Sequence, residues 1–422
     1  MAQSAPGAPA AANGKTWCER RLLARIHRYS RERRRQAARP VSPAAYMRFL
    51  LEWHGLGQSA KGGGGELEQA LSQLEGWAAP VVAWEHGLLA SRCADYSPQR
   101  LDEQFLSGCL AWFRPDGPGQ GALQLVAATP VAMVPRERVV YWRPARSVSS
   151  APAGSVAGSV AGRVWAALQE DGALFTVDLA QRTGLLQPQL EQGLAELVAL
   201  GLVTSDAFSP LRWLIRPETE KRRQQRFAGR RRTGPQGSML GRWSAVRNSA
   251  PATVEQDSEL FPDQARLAVI CEALLRRYGV VFRAVLERES MVPPWRLLLP
   301  YLRRMEDRGE VHGGRFVDGF SGEQFALPEA VGLLRGGEFR QPERRLVVIS
   351  AADPLNLGGI ITPGVKTAAR AGSRVLLLDG VPAARIQGDD LEVLCGDREL
   401  GMAEAERHLR AVHRLPVQEV GG

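Results

Sequence analysis

The feature that most constrains the fold is a recurring order of elements, in which three short helices are followed by a short β-hairpin. The clearest copy is predicted at residues 160–216. Its helices are predicted at Val160–Gln169, Thr176–Thr183 and Gln187–Leu200, and its wing is bracketed by Val203-Thr204 and Trp213–Ile215. A turn at Gly184–Pro188 separates the second helix from the third, as a helix-turn-helix requires. This order predicts a winged-helix module.

The same order recurs on both sides of this copy. After it come predicted helices at Gln264–Tyr278, Val281–Glu289 and Pro293–Arg308, with a hairpin turn at Gly313-Gly314. Before it, Ser42-Pro43 starts a helix with Ser as N-cap and Pro in the first helical position. Further elements there are predicted helices at Glu66–Leu74 and Leu101–Leu106 and a strand pair at Leu123–Val134. The chain is therefore predicted to hold several winged-helix modules in tandem.

After Arg345 the sequence pattern changes and predicts short strands, which are separated by turn signals such as Asp353-Pro354 and Asp379-Gly380. The predicted strands are Leu346–Ser350, Ile360–Thr362, Arg374–Asp379, Ala383–Gln387 and Leu391–Leu394. We expect a small β-barrel or sandwich that ends with a helix at Ala403–His413.

These elements predict an α+β fold, with tandem winged-helix modules followed by a small C-terminal β-barrel. The expected boundaries are a flexible linker at 1–14 that joins the chain to something upstream, N-terminal winged-helix modules at 15–146, a linker at 147–159, a module at 160–216, a basic linker at 217–259, a module at 260–335, and the barrel with its terminal helix at 340–422.

Positive charge is concentrated in two stretches. Lys15–Pro40 and Arg216–Arg247 each carry ten Lys or Arg against two Glu. The positive charge of these two stretches together exceeds the net charge of the chain, which is +9, so the rest of the chain is mildly acidic. Two concentrated basic stretches predict a polyanionic partner, with nucleic acid ahead of membrane.

Both stretches leave two interpretations open. The first forms a predicted amphipathic helix that is either a solvated surface or a phosphate-contacting helix. Its candidate DNA-binding residues are Arg20, Arg21, Arg25 and Arg28. The second resembles a flexible linker whose charge either maintains solubility or concentrates phosphate contacts. Its candidates are Arg222, Arg223, Arg230, Arg231 and Arg232.

The third helices of two modules differ in charge. The helix at Gln187–Leu200 offers Gln189, Gln192 and Glu196 to a groove, which favours a scaffold role for that module. The module at 260–335 instead offers cations and an aromatic ring, a mixture that suits backbone binding and base stacking. Its candidate residues are Trp295, Arg296, Arg303 and Arg304 on the helix and His312 and Arg315 on the wing. Trp295 fits the module core equally well.

Several classes of protein are excluded or disfavoured. The five cysteines stand apart without a zinc-ligand spacing, which disfavours metal and disulfide scaffolds and fits a reducing cytoplasm. No apolar run is long enough to span a membrane. No G-x-x-x-x-G-K-[ST] loop is present, so no cofactor is expected in these residues, and ATP and Mg²⁺ are expected only for a motor outside them.

Seven motifs are spread along the chain: WCERRLLARIHRYS (Trp17–Ser30), GRWS (Gly241–Ser244), RRYGVVFR (Arg276–Arg283), PPWR (Pro293–Arg296), GGRFVDGFSGEQFALPEAV (Gly313–Val331), SAADPLNLGGIITPG (Ser350–Gly364) and RVLLLDGVPAA (Arg374–Ala384). In this order they resemble the C-terminal region of bacterial Lhr, the large helicase-related DNA-repair helicases. The resemblance implies an array of winged helices and a β-barrel that serves an ATP-driven motor.

This array in turn resembles AlkZ-type DNA glycosylases. Gly76-Trp77 aligns with the start of their motif, but Ala79 and Val81 occupy the two positions that should orient water, so chemistry of that kind is disfavoured. The Lhr resemblance also implies a uracil-DNA glycosylase that uses an aspartate, for which Asp353 is the first candidate and Asp318 the second. An Asp-Pro turn explains Asp353 as well.

We therefore expect a non-motor region of a repair helicase that binds single-stranded or damaged DNA and associates with itself, including as a tetramer, in the bacterial cytoplasm at the nucleoid. A uracil or damaged-base glycosylase and a purely structural oligomerisation module are the alternatives. The sequence alone leaves open whether the chain is an enzyme. The expected partners are DNA, the motor and further copies of the chain, with no membrane.

Overall fold

The structure is a computed structural model of the chain. It describes residues 39–56, 66–115, 124–143, 158–221, 241–246, 264–336, 343–395 and 400–411, together with residues 19–23, 25, 26, 29, 35, 239 and 339. The predicted linker at 1–14, residues 147–157 of the linker predicted at 147–159, and the arginines 28, 222, 223, 230, 231 and 232 lie outside the described residues.

A helix, α1 (Pro43–Trp53), precedes the first winged-helix module, which we call module 1 (residues 66–142). Module 1 contains α2 (Glu66–Gln73), β1 (Ala78–Pro80), a helical turn (Val81–Ala83) that continues as a π-helix (Trp84–Leu89), α3 (Pro98–Leu106), β2 (Leu110–Phe113), β3 (Pro130–Pro135), a 3₁₀ turn (Arg136–Arg138) and a short helix (Val139–Trp142). The sheet order is β1-β3-β2, and both pairs are antiparallel.

The strand pair predicted at Leu123–Val134 is wrong. One strand lies there, β3, and its partner is β2, with Trp112 opposite Met133. All four residues of β2 are buried. A strand buried on both faces has no apolar-polar alternation, so its sequence does not reveal it.

Module 2 (residues 158–246) contains α4 (Val160–Asp171), β4 (Leu174–Phe175), α5 (Thr176–Thr183), α6 (Gln187–Ala199), β5 (Val203–Ser205), α7 (Ser209–Leu214) and β6 (Arg242–Ala245). The wing strand predicted at Trp213–Ile215 is wrong, because Trp213 and Leu214 belong to α7. The central strand of the β4-β6-β5 sheet is β6, which lies inside the segment 217–259 predicted as a linker. Trp243 of β6 is fully buried and packs edge-on against Trp112 of module 1.

Module 3 (residues 264–336) contains α8 (Gln264–Tyr278), β7 (Val280–Val281), a 3₁₀ helix (Arg283–Arg288), α9 (Trp295–Arg308), β8 (His312–Gly314), β9 (Gln324–Ala326) and α10 (Pro328–Gly336), with the sheet order β7-β9-β8. Although α1 precedes module 1, its side chains pack here. The Tyr46 hydroxyl lies 3.0 Å from the carbonyl oxygens of both Tyr278 and Val280.

The C-terminal part is an antiparallel sheet in the order β10 (Leu346–Ser350), β11 (Arg374–Leu378), β12 (Val381–Gln387) and β13 (Asp390–Val393), followed by α11 (Met402–Ala411). The strand predicted at Ile360–Thr362 is wrong. Those residues belong to a long loop between β10 and β11, the Asp353 loop (residues 351–373), in which residues 351–358 are buried. The fold class of α+β with tandem winged helices is confirmed, and closure into a barrel stays a prediction.

Two large apolar clusters join these units. One is shared by modules 1 and 2, and the other by α1, module 3 and the C-terminal sheet. Ion pairs also cross between modules 1 and 2, where Arg212 of α7 contacts Glu85 at 2.8 Å and Asp102 at 2.7 Å. Among the described helices, none has the length and apolar character of a membrane span.

Gly55 and Gly76 both have a positive φ, but only Gly76 lies against a buried side chain, so substituting each by Ala distinguishes backbone strain from overpacking. Gly76 has φ +73°, and a Cβ there would overlap the buried ring of Trp142, whereas Gly55 has φ +67° and open space. We expect Gly55→Ala to lower the free energy of unfolding by about 1–2 kcal/mol through backbone strain. We expect Gly76→Ala to lower it by about 1–3 kcal/mol more through overpacking. Urea denaturation measures both, and equal losses would contradict the assigned packing.

Candidate nucleic-acid interface

The third helix of module 3 has one apolar face and one cationic face. Leu298, Leu302 and Met305 recur at helical spacing and are buried against the module core. Arg296, Arg303 and Arg304 point to solvent on the other side. We call these three arginines, together with Arg315 of the wing, the cationic face. The sequence placed all four in one module, and the structure brings them onto its recognition helix and wing.

The remaining predicted residues of this module have packing or turn roles. Trp295 is half-buried and its ring lies 6.4 Å from that of Phe325, so it forms part of the edge of the core. His312 is half-buried on β8. Asp318 is exposed in the turn between β8 and β9, where its Oδ1 accepts a hydrogen bond from the Gly319 amide at 2.9 Å.

Neighbouring side chains order the cationic face. Arg303 donates to Glu323 at 2.8 Å through Nε, and its second nitrogen lies 2.6 Å from the same carboxylate. Arg304 and Arg308 lie over the ring of Tyr301, with their guanidinium carbons 5.4 and 5.6 Å from its centroid. Stacking on Tyr301 restricts the rotamers of Arg304 and Arg308, which reduces the entropy lost when they bind a phosphate.

The corresponding helix of module 2 differs in composition and in how its polar groups are used. The sequence of α6 contains no Lys or Arg. Gln189 accepts a hydrogen bond from the Leu186 amide at 3.1 Å and so caps the helix, and Gln187 donates to Glu191. Glu196 is half-buried, while Gln192 is exposed. The polar groups at the start of α6 are therefore used within the helix, and the scaffold role of module 2 stays a prediction.

The first basic stretch is helical at residues 20–23, 25, 26, 29 and 35. Arg20, Arg21 and Arg25 are exposed, and so are the apolar side chains of Leu22 and Ile26. The structure does not bring these three arginines together with the cationic face through any described contact.

Asp353, the first candidate for catalysis, lies in a buried charge cluster with Arg92, His54, Arg277 and Glu289. Its carboxylate is fully buried and accepts two hydrogen bonds from Arg92 of module 1, at 2.7 and 3.0 Å. The Leu355 amide donates a third, at 2.9 Å. Burial alone would raise the pKa of Asp353, but the Arg92 charge and these hydrogen bonds hold it below its ordinary value. The carboxylate is thus ionised and enclosed by protein.

Arg277 extends the same cluster from module 3. It pairs with Glu289, and its guanidinium donates to the backbone carbonyls of Glu75 at 2.5 Å and Gln73 at 3.2 Å. It also lies over the ring of Trp77, whose indole N–H donates to the Ala352 carbonyl at 2.9 Å. The buried charge cluster therefore joins modules 1 and 3 to the Asp353 loop. Ala79 and Val81 are buried in the apolar cluster shared by modules 1 and 2.

His54 is held in one neutral form. Its Nδ1 accepts a hydrogen bond from Nε of Arg92 at 3.1 Å, and its Nε2 lies 2.7 Å from the Arg277 carbonyl, to which it donates. Burial and the neighbouring Arg92 charge lower the pKa of His54 to about 3.

The His54 environment predicts acid sensitivity. The unfolded chain binds a proton at His54 below an ordinary pKa near 6.5, whereas the folded chain does not until the pH approaches 3. The free energy of unfolding should therefore fall by about 1.4 kcal/mol for each pH unit below 6.5. In the His54→Gln variant, this contribution to the fall in the free energy of unfolding between pH 6.5 and 5 should disappear. Urea denaturation across that range measures it, and identical slopes in both proteins would contradict the assigned burial.

Sequence reasoning singled out Asp353 but missed its partners. Arg92, His54 and Arg277 come from three distant parts of the chain, and no local spacing connects them. Among the described residues, no group of three or more His, Cys, Asp or Glu side chains is arranged to hold a metal ion.

The fold and the cationic third module define a tandem winged-helix protein of the α+β class. Comparison with known families makes this more specific, because residues 41–136 and 262–346 match sequence profiles of the third and fourth winged-helix domains of large helicase-related (Lhr) proteins. The chain fits a C-terminal region of an Lhr protein, which confirms the resemblance predicted from its sequence.

Two curated relatives agree with this assignment. The Lhr helicase/probable uracil glycosylase of Mycolicibacterium smegmatis is 29% identical over 399 residues, which cover 87% of this chain and 25% of the relative. The Lhr helicase/uracil glycosylase of Escherichia coli is 27% identical over 388 residues, which cover 82% of this chain and 24% of the relative. The chain thus spans about a quarter of the length of these relatives.

Proposed function

We propose that this chain is a non-motor, DNA-binding region of an Lhr-type repair helicase and that module 3 provides its principal contact with DNA. The observation that carries the proposal is the contrast between two helices at the same place in the same fold. Helix α9 presents Arg296, Arg303 and Arg304 to solvent, whereas α6 contains no cation. Phosphate binding by arginine supplies most of the affinity of proteins that bind DNA without reading its sequence.

The mechanism follows from the geometry of a winged helix. The recognition helix lies in or along a groove while the wing reaches the adjacent backbone. Arg296 and Arg303 are separated by about two helical turns, or about 10 Å, so they can contact successive phosphates on one side of a groove. Arg315 on the wing adds a contact outside the helix. Contacts of this kind position a strand and do not specify its sequence.

Binding of labelled single-stranded and duplex oligonucleotides at several salt concentrations tests this proposal. We expect the logarithm of the association constant to fall linearly with the logarithm of the salt concentration, because each bound phosphate releases counterions. Binding that is absent at low salt, or that is insensitive to salt, would reject it.

The same proposal has three further parts. The chain associates with itself, it is attached to an ATP- and Mg²⁺-dependent motor, and it acts at the bacterial nucleoid. They rest on the resemblance to Lhr proteins. Light scattering of the purified chain tests the self-association, and a monomer at all concentrations would reject it.

A uracil-DNA glycosylase is the second candidate, because both relatives carry that activity in their names. Of the two aspartates considered, Asp318 is exposed in the same wing as Arg315, whereas Asp353 is enclosed by Arg92. Geometry therefore favours Asp318 as the carboxylate that could reach a flipped base. A uracil-containing oligonucleotide that stays intact after incubation and alkali would reject the activity, and cleavage retained in Asp318→Asn would reject only the residue.

A further inference from the structure

The segment just before α1 is part of the wing of module 3. The Val41 amide donates to the Phe316 carbonyl at 2.8 Å, and the Asp318 amide donates to the Val41 carbonyl at 2.9 Å. Val41 is thereby paired in parallel with Val317. The chain is fixed to the wing at this point, although nearly 280 residues separate the two segments.

Six residues earlier, Arg35 contacts the recognition helix itself. Its Nε donates to Oε1 of Glu306 at 2.8 Å, and its terminal nitrogen pairs with Oε2 of the same carboxylate. The Glu306 side chain is 5% exposed. It lies against Gly313 of β8, where a Cβ would overlap the carboxylate, so glycine is required for this close approach.

Arg35 also shares a second carboxylate with the cationic face. Its terminal nitrogen lies 3.1 Å from Oε1 of Glu323, while Arg303 holds Oε2 of the same group at 2.6 Å. Without Arg35, the carboxylates of Glu306 and Glu323 would lose the cation that they share, and Glu323 would remain paired with Arg303. Two negative charges beside one cation would repel a phosphate and occupy the arginine that should bind it.

We propose that Arg35 is a positioning residue for DNA binding, which neutralises Glu306 and Glu323 so that Arg303 and its neighbours on α9 are available to the phosphates of a nucleic acid. The inference rests on the proposed function of module 3. It assigns the first basic stretch a specific task at its C-terminal end and fixes where that stretch reaches the interface.

Charge rescue tests this role. We expect Arg35→Ala to weaken binding of a labelled oligonucleotide about tenfold at 0.1 M salt. Adding Glu306→Gln and Glu323→Gln to that variant should restore affinity to within about twofold of the wild type, because the charges that Arg35 neutralises are gone. If Arg35 instead contacts DNA itself, the rescue will fail and the proposal is overturned. Arg410→Ala on α11 removes the same charge far from module 3 and should have no effect.

A second measurement does not depend on the stability of the Arg35 variant. Glu323→Gln alone removes a partly exposed charge and frees Arg303, so affinity should rise about two- to fivefold. Glu392→Gln, at an ion pair on β13, is the control and should leave affinity unchanged. Unchanged affinity in both Arg35→Ala and Glu323→Gln, with normal wild-type binding, would overturn this inference and leave the proposed function intact. A wild type that binds no DNA would overturn both.

Discussion

Replacing Asp353 by Ala should lower the free energy of unfolding by about 3–5 kcal/mol. The Arg92 guanidinium is 1% exposed, and Asp353 accepts two of its hydrogen bonds. Without that carboxylate, a buried positive charge remains beside His54, which is neutral and cannot compensate it. Urea denaturation at pH 7.5 measures the loss.

Two further variants make the result specific. Glu392→Ala removes a carboxylate from an ion pair whose Glu392 side chain is 52% exposed, and it should cost about 0.5 kcal/mol or less. The double variant Arg92→Met/Asp353→Leu removes both buried charges and should recover part of the stability lost in Asp353→Ala. An Asp353→Ala protein as stable as the wild type would contradict the buried pair. The glycosylase assay on any Asp353 variant therefore requires a parallel measurement of the folded fraction.

Replacing Arg296, Arg303 and Arg304 together by Ala should produce the largest effect on DNA binding. Each phosphate contact contributes about 0.9 to the slope of the salt dependence, so loss of three contacts should flatten that slope by about 2–3 units. At 0.1 M salt this corresponds to a loss of affinity of about two orders of magnitude. Because all three side chains are exposed, folding should be preserved.

The matched control is a triple substitution by Ala on the corresponding helix of module 2. Gln187, Gln189 and Gln192 occupy the N-terminal half of α6, and their replacement by Ala removes no charge. The slope should stay as in the wild type, and affinity should change about twofold or less. A slope that is flattened equally by both triple variants, or by neither, would contradict the assignment of the interface to module 3.

Much of the fold could be predicted because its helices carry local signals. Ser42 and Ser97 each cap a helix that has proline in its first turn, and their hydroxyls accept hydrogen bonds from the Ala45 and Arg100 amides. Helix α9 shows an apolar stripe at Leu298, Leu302 and Met305, and its position was predicted to within two residues. These features depend on residues three to seven positions apart, which a sequence displays directly.

The strands were harder to predict because their partners are distant. β6 completes the wing of module 2 from within the second basic stretch, and only its pairing with β4 and β5 makes four residues a strand. α1 looks like part of the first module by position, but Tyr46 buries itself against α8 and β7. The partners of β6 lie roughly 40 to 70 positions away and those of Tyr46 more than 200. Pairing over such separations produces no periodic pattern in the local sequence.

The site was predicted in part for the same reason. Cations on one helix form a local pattern, so Arg296, Arg303 and Arg304 were found together. Asp353 was singled out as a candidate catalytic carboxylate, but its surroundings depend on Arg92, 261 positions earlier in the chain. Arg35 was missed because Glu306 and Glu323 are equally remote from it.

The most direct test of the central claim is site-specific photo-crosslinking to DNA. A benzophenone amino acid placed at Pro300, which is exposed between Arg296 and Arg303 on α9, should form an adduct with a bound oligonucleotide on irradiation. The same amino acid at Gln192, exposed on α6 of module 2, should form little or none. An adduct at position 192 without one at position 300 would contradict the account and assign DNA binding to module 2.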